Sequence, residues 1–450
     1  MTSAHKDRDI VPFGEAVRTW FAISLQTFGG PAGQIAVMQR ALVEDKRWIG
    51  QQRFNHALSY CMVLPGPEAQ QLAVYTGWLL NGTRGGLVAG VLFVLPGVVS
   101  LLALSVLYVG WGETAFVAGL FAGLAPAVLA IVAQAVVRVG RRSLTGPALV
   151  ALAVGAFLAL AVFAVPFPLV IVGAAVTGWL LGRARPALMR EEPADGPEPL
   201  VSDAILHHEP PSLGRSGRVL GIGLLVWAAP VVAVAVFTGV GGVLTTQGVY
   251  FSGMALVTFG GAYAALSYVA QAAVQTYGWL GPQEMVRGLA LAETTPGPLI
   301  MVVQFVAFLG AYRDPGGLDP WAAALLGALL TSWVTFVPCF LFIFLGAPYV
   351  ERLRGNATIA AALGGITAAV VGVIANLGFY FALHTLFAET FPLSWGPVQA
   401  TLPDLSSVRY LPLGLAALAA VMVFRLNWGI PRVLLVSAGL GLAATAVGLG

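Results

Sequence analysis

Two acidic side chains and a set of amides and hydroxyls sit beside breaks in apolar sequence. Glu68 directly follows Pro65-Gly66-Pro67, and Glu293 lies three residues before Pro296-Gly297-Pro298. An ionisable group at membrane depth is costly and marks a functional site by default. Both are therefore candidates for coupling or gating, Glu293 as a proton-linked gate. Glu68 has the alternative of capping a first helical turn. Gln34, Gln70, Gln71, Thr294, Thr295 and Gln304 lie close to the same breaks. Each can donate a hydrogen bond to an oxyanion oxygen, or serve as glue between helices. The breaks are Phe28-Gly29-Gly30-Pro31, Phe259-Gly260-Gly261 and the two Pro-Gly-Pro triplets. Backbone freed at a break cannot face lipid, so it is buried in protein or lines a wet cavity. Each helix restarting after a break carries about half a positive charge at its N-terminus. Four such starts meeting near the midplane would hold a small anion without any buried Lys or Arg.

The breaks recur at one spacing. Thr27, Trp48 and Pro65 correspond to Thr258, Trp279 and Pro296, since 258 − 27 = 279 − 48 = 296 − 65 = 231. A single Gly/Pro cluster in a membrane helix reads as a packing kink. Four of them in matching positions of two halves point to a transporter's binding site.

These motifs need apolar elements to carry them. Of the 450 residues 58% are apolar and 10% charged, against about 25% charged in a soluble chain, and the mean hydropathy is +0.85. Such a chain is an all-α integral membrane protein. The alternating ten-residue segments of a β-barrel are absent from the sequence. Unbroken spans are predicted at 87–108, 115–137, 148–163, 169–181, 219–240, 321–345, 359–383, 411–424 and 430–447. With four interrupted elements these make nine full spans of an inverted-topology repeat. The division is 1–182 for the first repeat and 183–218 for a charged, Pro-rich cytoplasmic linker. An extra span at 219–240 flips the orientation, and 241–450 is the second, inverted repeat. If each broken segment dips in and returns, all but Arg287, Arg313 and Arg409 of the 23 Lys and Arg residues share one face. That face is the cytoplasm, with the N-terminus inside and the C-terminus in the periplasm. Full crossing by the broken segments would weaken this bias, and both arrangements stay open.

The remaining polar residues are less informative. Cys61 and Cys339 lie in apolar sequence and read as small core residues. His56, Arg287 and His384 are near segment ends and are expected to snorkel. His207-His208-Glu209 reads as a solvated run in the linker. The polar N-terminal stretch is not expected to be a removable signal peptide. No His-Glu-x-x-His or Gly-x-Ser-x-Gly motif supports the alternative of an intramembrane enzyme acting on lipid. A channel is a further alternative. No cofactor, metal or nucleic-acid partner is expected.

The chain resembles the bacterial chromate ion transporter family, long two-domain form, over residues 13–450. The resemblance rests on Phe28 to Pro31, Arg47-Trp48, Pro65-Gly66-Pro67-Glu68-Ala69-Gln70-Gln71, Phe259-Gly260-Gly261-Ala262-Tyr263-Ala264 and Thr295-Pro296-Gly297-Pro298. Two positions depart from the family pattern: Ala262 stands where Gly is usual and Ser267 where Pro is common. The resemblance implies export of chromate across the bacterial inner membrane, giving resistance, with sulfate as a look-alike competitor. It places the motif residues, Tyr263 among them, at the substrate. A sulfate or other oxyanion permease is the alternative, and a homo-oligomer stays open.

Overall fold

The computed structural model describes residues 10–28, 30–112, 114–184, 206–207, 212–259, 262–349 and 357–448. Gly29, Gly260 and Gly261 lie outside the described residues, as do His208 and Glu209. Among the described residues the first half holds α1 (Phe13–Ser24), α2 (Gly30–Gln39), α3 (Gln51–Val63), α4 (Glu68–Trp111), α5 (Ala115–Ser143), α6 (Pro147–Ala161) and α7 (Phe167–Ala184). Next is α8 (Leu213–Thr238). The second half holds α9 (Val243–Val257), α10 (Ala262–Gln271), α11 (Pro282–Thr294), α12 (Val302–Arg313), α13 (Pro320–Gly346), α14 (Ala357–Leu386), α15 (Tyr410–Phe424) and α16 (Ile430–Ala446). Five of these are long and apolar enough to cross a membrane: α4, α5, α8, α13 with the turn after it, and α14.

The spacing of 231 governs local structure as well as motif positions. It carries α3 onto α11 at both ends (51 to 282, 63 to 294). It carries the π-helical turn Arg40–Asp45 onto Ala272–Thr276 within one residue. The turn-closing bond from Trp48 N–H to Leu42 O recurs as Trp279 N–H to Ala273 O, both 2.8 Å. Proline stands at or beside the start of α2 (Pro31), α4 (Pro67) and α11 (Pro282), where it has no N–H to leave unpaired and its φ already suits a helix start; α3 and α10 begin without one.

The sequence reading places nine unbroken spans close to observed helices, but four of these helices are short. The helices α6, α7, α15 and α16 have 15, 18, 15 and 17 residues, or about 22–27 Å at 1.5 Å per residue. The hydrocarbon core is about 30 Å thick, so none of the four fills it by helix alone. At the opposite extreme, α4 runs 44 residues and is bent at Asn81–Gly82, where Gly82 has φ 60. The bend frees two carbonyls. Leu80 O accepts from Ile10 N–H at 3.2 Å, and Leu79 O accepts from His207 N–H at 2.9 Å. Asn81 Nδ2 donates to Val11 O at 2.7 Å. The His207 ring meets Trp78 edge-on at 4.9 Å. His207 is thus docked on the bend, where the sequence suggested a solvated run.

A second departure from the expected all-helical chain is an antiparallel hairpin, β1 (Thr390–Trp395) with β2 (Val398–Pro403). Its two-residue turn is Gly396-Pro397, with Gly396 at φ 56. A glycine of positive φ in first place is what a two-residue turn of the II′ type needs.

The chain forms two compact units that interleave the halves. One draws on 1–102, 191–262 and 295–355, the other on 103–190, 263–294 and 356–450. In the first, α12 is buried from Val302 to Ala311, as befits a helix apolar all round, while α8 has no buried residue. In the second, Ala156, Val170, Ala174 and Ala369 form a small-residue core between α6, α7 and α14, allowing close backbone approach.

Candidate functional site

The first unit pairs residues at or beside all four interruptions. Gly66 N–H donates to Thr258 O at 2.7 Å, and Gly297 N–H donates to Thr27 O at 3.0 Å. Adding 231 turns one bond into the other: 66 becomes 297, and 27 becomes 258. The halves therefore exchange equivalent hydrogen bonds, each Pro-Gly-Pro closing on the strand-like entry to the other half's broken helix. Both glycines need left-handed backbone to do this, with φ 112 and 105, a conformation that L side chains rarely adopt.

The second leg of each half continues the exchange. A Cβ on Gly66 would lie 3.1 Å from Cys339 Sγ. A Cβ on Gly97 would lie 2.7 Å from Pro296 O, with Gly297 Cα at 3.5 Å. Gly97 follows Pro96 and Cys339 follows Pro338, so α4 and α13 each bring the residue after an internal proline against the other half's triplet, though outside the spacing of 231. This role of the cysteine and of Gly97 is missed by sequence reading, although the matched prolines were a usable signal.

The amides divide into those that hold the crossing and those that do not. Gln34 Nε2 donates to Gly297 O at 2.6 Å, and Gln71 Nε2 to Pro65 O at 2.7 Å. Gln304 Nε2 donates to Val98 O at 3.0 Å and its Oε1 accepts from Ser332 Oγ, also at 3.0 Å. Gln304 is thus glue between α12, α4 and α13, one of its two expected roles. Gln70 is different. It is fully buried on the first turn of α4, and neither its Oε1 nor its Nε2 has a hydrogen-bond partner among the described residues. Thr331 and Thr335 are buried on α13, and their hydroxyls have no partner among the described residues. They stand one and two turns before Cys339, a stripe spaced i, i+4, i+8 that sequence reading passed over. Leaving a buried polar group unpaired costs about 1–3 kcal/mol. Groups of this kind are ready for a partner from outside the chain.

Other sequence-selected residues divide between the units. Phe28, Pro31, Pro65, Phe259 and Pro296 are half-buried, while Pro67, Thr295 and Pro298 are buried. Glu68 opens α4 and is half-buried. Glu293 is buried in the second unit near the end of α11. Beside it Thr294 Oγ1 returns to Leu291 O at 2.7 Å, so its hydroxyl proton is spent locally. Arg287 lies over the Phe121 ring at 5.8 Å and donates to Tyr108 Oη at 3.3 Å, held in protein where snorkelling was expected. The amides of Gly66 and Gly297 are committed to the crossing, while the Gln70 side chain beside them is an unspent donor among the described residues.

The chromate transporter family model matches residues 14–179 and 246–443. The chain belongs to that family. The two matched stretches begin one residue from the spacing of 231. Among the curated relatives, a chromate transport protein of Pseudomonas aeruginosa is 32% identical over 358 residues, covering 78% of this chain and 76% of the relative. One from Cupriavidus metallidurans is 29% identical over 363 residues, covering 80% of each. A probable chromate transport protein of Synechococcus elongatus is 27% identical over 353 residues, covering 78% of this transporter and 79% of its own length. No solved structure matches. Family membership and the long apolar helices make this a multi-pass membrane transporter.

Proposed function

We propose that this transporter exports chromate from the cytoplasm across the bacterial inner membrane and so confers resistance. The observation that carries the reading is the reciprocal crossing at Gly66 and Gly297, in a chain of the chromate transporter family. An exchange of equivalent bonds supports two repeats, 1–182 and 241–450, in opposite orientation, with 219–240 as the span that inverts the second. The Lys/Arg bias supports an N-terminus in the cytoplasm and a C-terminus in the periplasm. The substrate site uses neutral donors at the crossing, Gln70, Thr331 and Thr335 among them. Glu68 and Glu293 serve gating.

Energetics favour the outward direction. Chromate is a dianion near neutral pH, and an inside-negative potential contributes about 2.3 kcal/mol per charge per 100 mV. Two charges moving out gain about 4.6 kcal/mol, more than three decades of gradient at about 1.4 kcal/mol per decade. Export therefore needs no proton. Everted vesicles provide the test. Chromate uptake should follow the membrane potential and ignore an imposed pH gradient, with sulfate competing. Gln70→Leu should cut the flux at least about tenfold while the melting temperature holds or rises, because no hydrogen bond within the chain is lost. Strict dependence on the pH gradient overturns the export reading.

A further inference from the structure

The second unit contains a cavity of about 300 Å³ that is separate from the crossing residues of the first. Its walls come from the α6–α7 turn, α10 with its π-helical turn, the last turns of α14, and the hairpin β1–β2. The hairpin is tied across by Gln399 N–H donating to Val162 O at 2.7 Å.

The lining chemistry is narrow. Gln271, Gln275, Asn376 and Gln399 supply amides, and Ser267, Ser394 and Thr401 supply hydroxyls. Among the described residues that line it, none is Asp, Glu, Lys, Arg or His. Asn376 Nδ2 donates to Ser267 Oγ at 3.4 Å, which leaves the serine proton free to point elsewhere. The volume exceeds what one water needs by more than an order of magnitude, so a tetrahedral oxyanion fits with part of its hydration shell.

We propose that this cavity is a low-affinity subsite for the transported divalent oxyanion, held by neutral amide and hydroxyl donors alone. Hydrogen bonds to an ionised acceptor are about twice as strong as neutral ones, so several such donors can replace lost water. A lining carboxylate would repel the dianion. A lining Arg or Lys would trap it, whereas flux needs binding weak enough to leave. Under the charge-bias orientation every wall segment lies on the periplasmic side, which makes the cavity an exit vestibule. The assignment rests on the chromate-export reading.

The test is radiolabelled chromate exchange across proteoliposomes of the full chain, at equal concentrations on both sides. Gln275 is exposed on the cavity rim, so its substitutions leave the fold intact. Gln275→Glu should raise the half-saturating chromate concentration about fivefold and Gln275→Lys should lower it by a similar factor. Asn376→Asp and Gln399→Glu should raise it further. Opposite shifts from opposite charges cannot both come from misfolding. These shifts should persist in vesicles of neutral lipid. A shift confined to vesicles containing anionic lipid would assign the cavity to a phospholipid headgroup and overturn the proposal. If the wild type exchanges chromate while both Gln275 variants match it, the subsite is wrong and the export reading stands. If the wild type exchanges neither chromate nor sulfate, the transport reading falls and the subsite with it.

Discussion

The two π-helical turns share a backbone and differ in charge. Lys46 N–H bonds Ala41 O at 3.0 Å, and Tyr277 N–H bonds Ala272 O at 2.9 Å. Arg47 and Gly278 both take left-handed backbone, at φ 50 and 61. The first turn nevertheless carries Arg40, Glu44, Asp45, Lys46 and Arg47, and Lys46 pairs with Glu15 at 2.8 Å. The second carries Gln271, Gln275, Thr276 and Tyr277, the tyrosine stacked on Trp279 at 4.5 Å. Backbone geometry here belongs to the repeat, and the difference in charge is what the proposed opposite orientation of the two halves predicts. An exposed ion pair adds only about 0–1 kcal/mol, so the charges of the first turn are not what builds it. Their absence from the second turn leaves a neutral wall for the cavity beside it.

The largest effect expected from this contrast is all-or-none. Glu44→Cys should react with a membrane-impermeant maleimide only from the cytoplasmic side, and Gln275→Cys only from the periplasmic side. The native Cys61 and Cys339 are buried, so background labelling is low. Labelling of both positions from one side would end the inverted-repeat reading.

A smaller effect separates the two glycines of the crossing. Both need positive φ, so alanine strains each by about 1–3 kcal/mol. Their surroundings differ. A Cβ at Gly66 meets side-chain ends, Cys339 Sγ and Gln71 Nε2, both at 3.1 Å. A Cβ at Gly297 meets backbone, with Gly97 Cα at 3.2 Å and N at 3.5 Å. Side-chain ends can swing aside and backbone cannot. Gly297→Ala should therefore lower the melting temperature in detergent more than Gly66→Ala, and abolish transport where Gly66→Ala only reduces it. Equal losses would mean that strain alone sets the cost.

Much of this architecture could be read from residue type and spacing. The breakers at a shared offset located the crossing residues, because Gly and Pro act on the local backbone. Apolar runs located the long helices for the same reason. Four features were out of reach or overlooked. Which carbonyl Gly66 N–H finds is a contact between residues 66 and 258, and no local pattern encodes it. The π-helical turns come from a backbone register that Arg40–Asp45 and Ala272–Thr276 share although few of their side chains match. The bend at Asn81–Gly82 did carry a signal, an Asn-Gly pair between apolar runs, and its importance lies in the partners that Leu79 and Leu80 find elsewhere. Gln70 was named with other amides and is as buried as Gln304; what sets it apart is that its amide has no hydrogen-bond partner among the described residues, while Gln304 bonds Val98 and Ser332.

The smallest effect asks whether the two turns are energetically as well as geometrically alike. Arg47 holds a conformation that costs an ordinary L residue about 1–2 kcal/mol. Glycine adopts it freely but loses more entropy on folding. Arg47→Gly should therefore stabilise the transporter by only about 0.5–1 kcal/mol, seen as a small rise in melting temperature. The orientation should not change, because the other basic residues keep their bias. Gly278→Arg is the mirror experiment. Nothing lies within 4 Å of a Cβ placed there, so its cost is purely backbone and should be about the same size with the opposite sign. If Arg47→Gly destabilises instead, the Arg47 side chain contributes more to its turn than the shared backbone implies, and the likeness of the two turns stops at geometry.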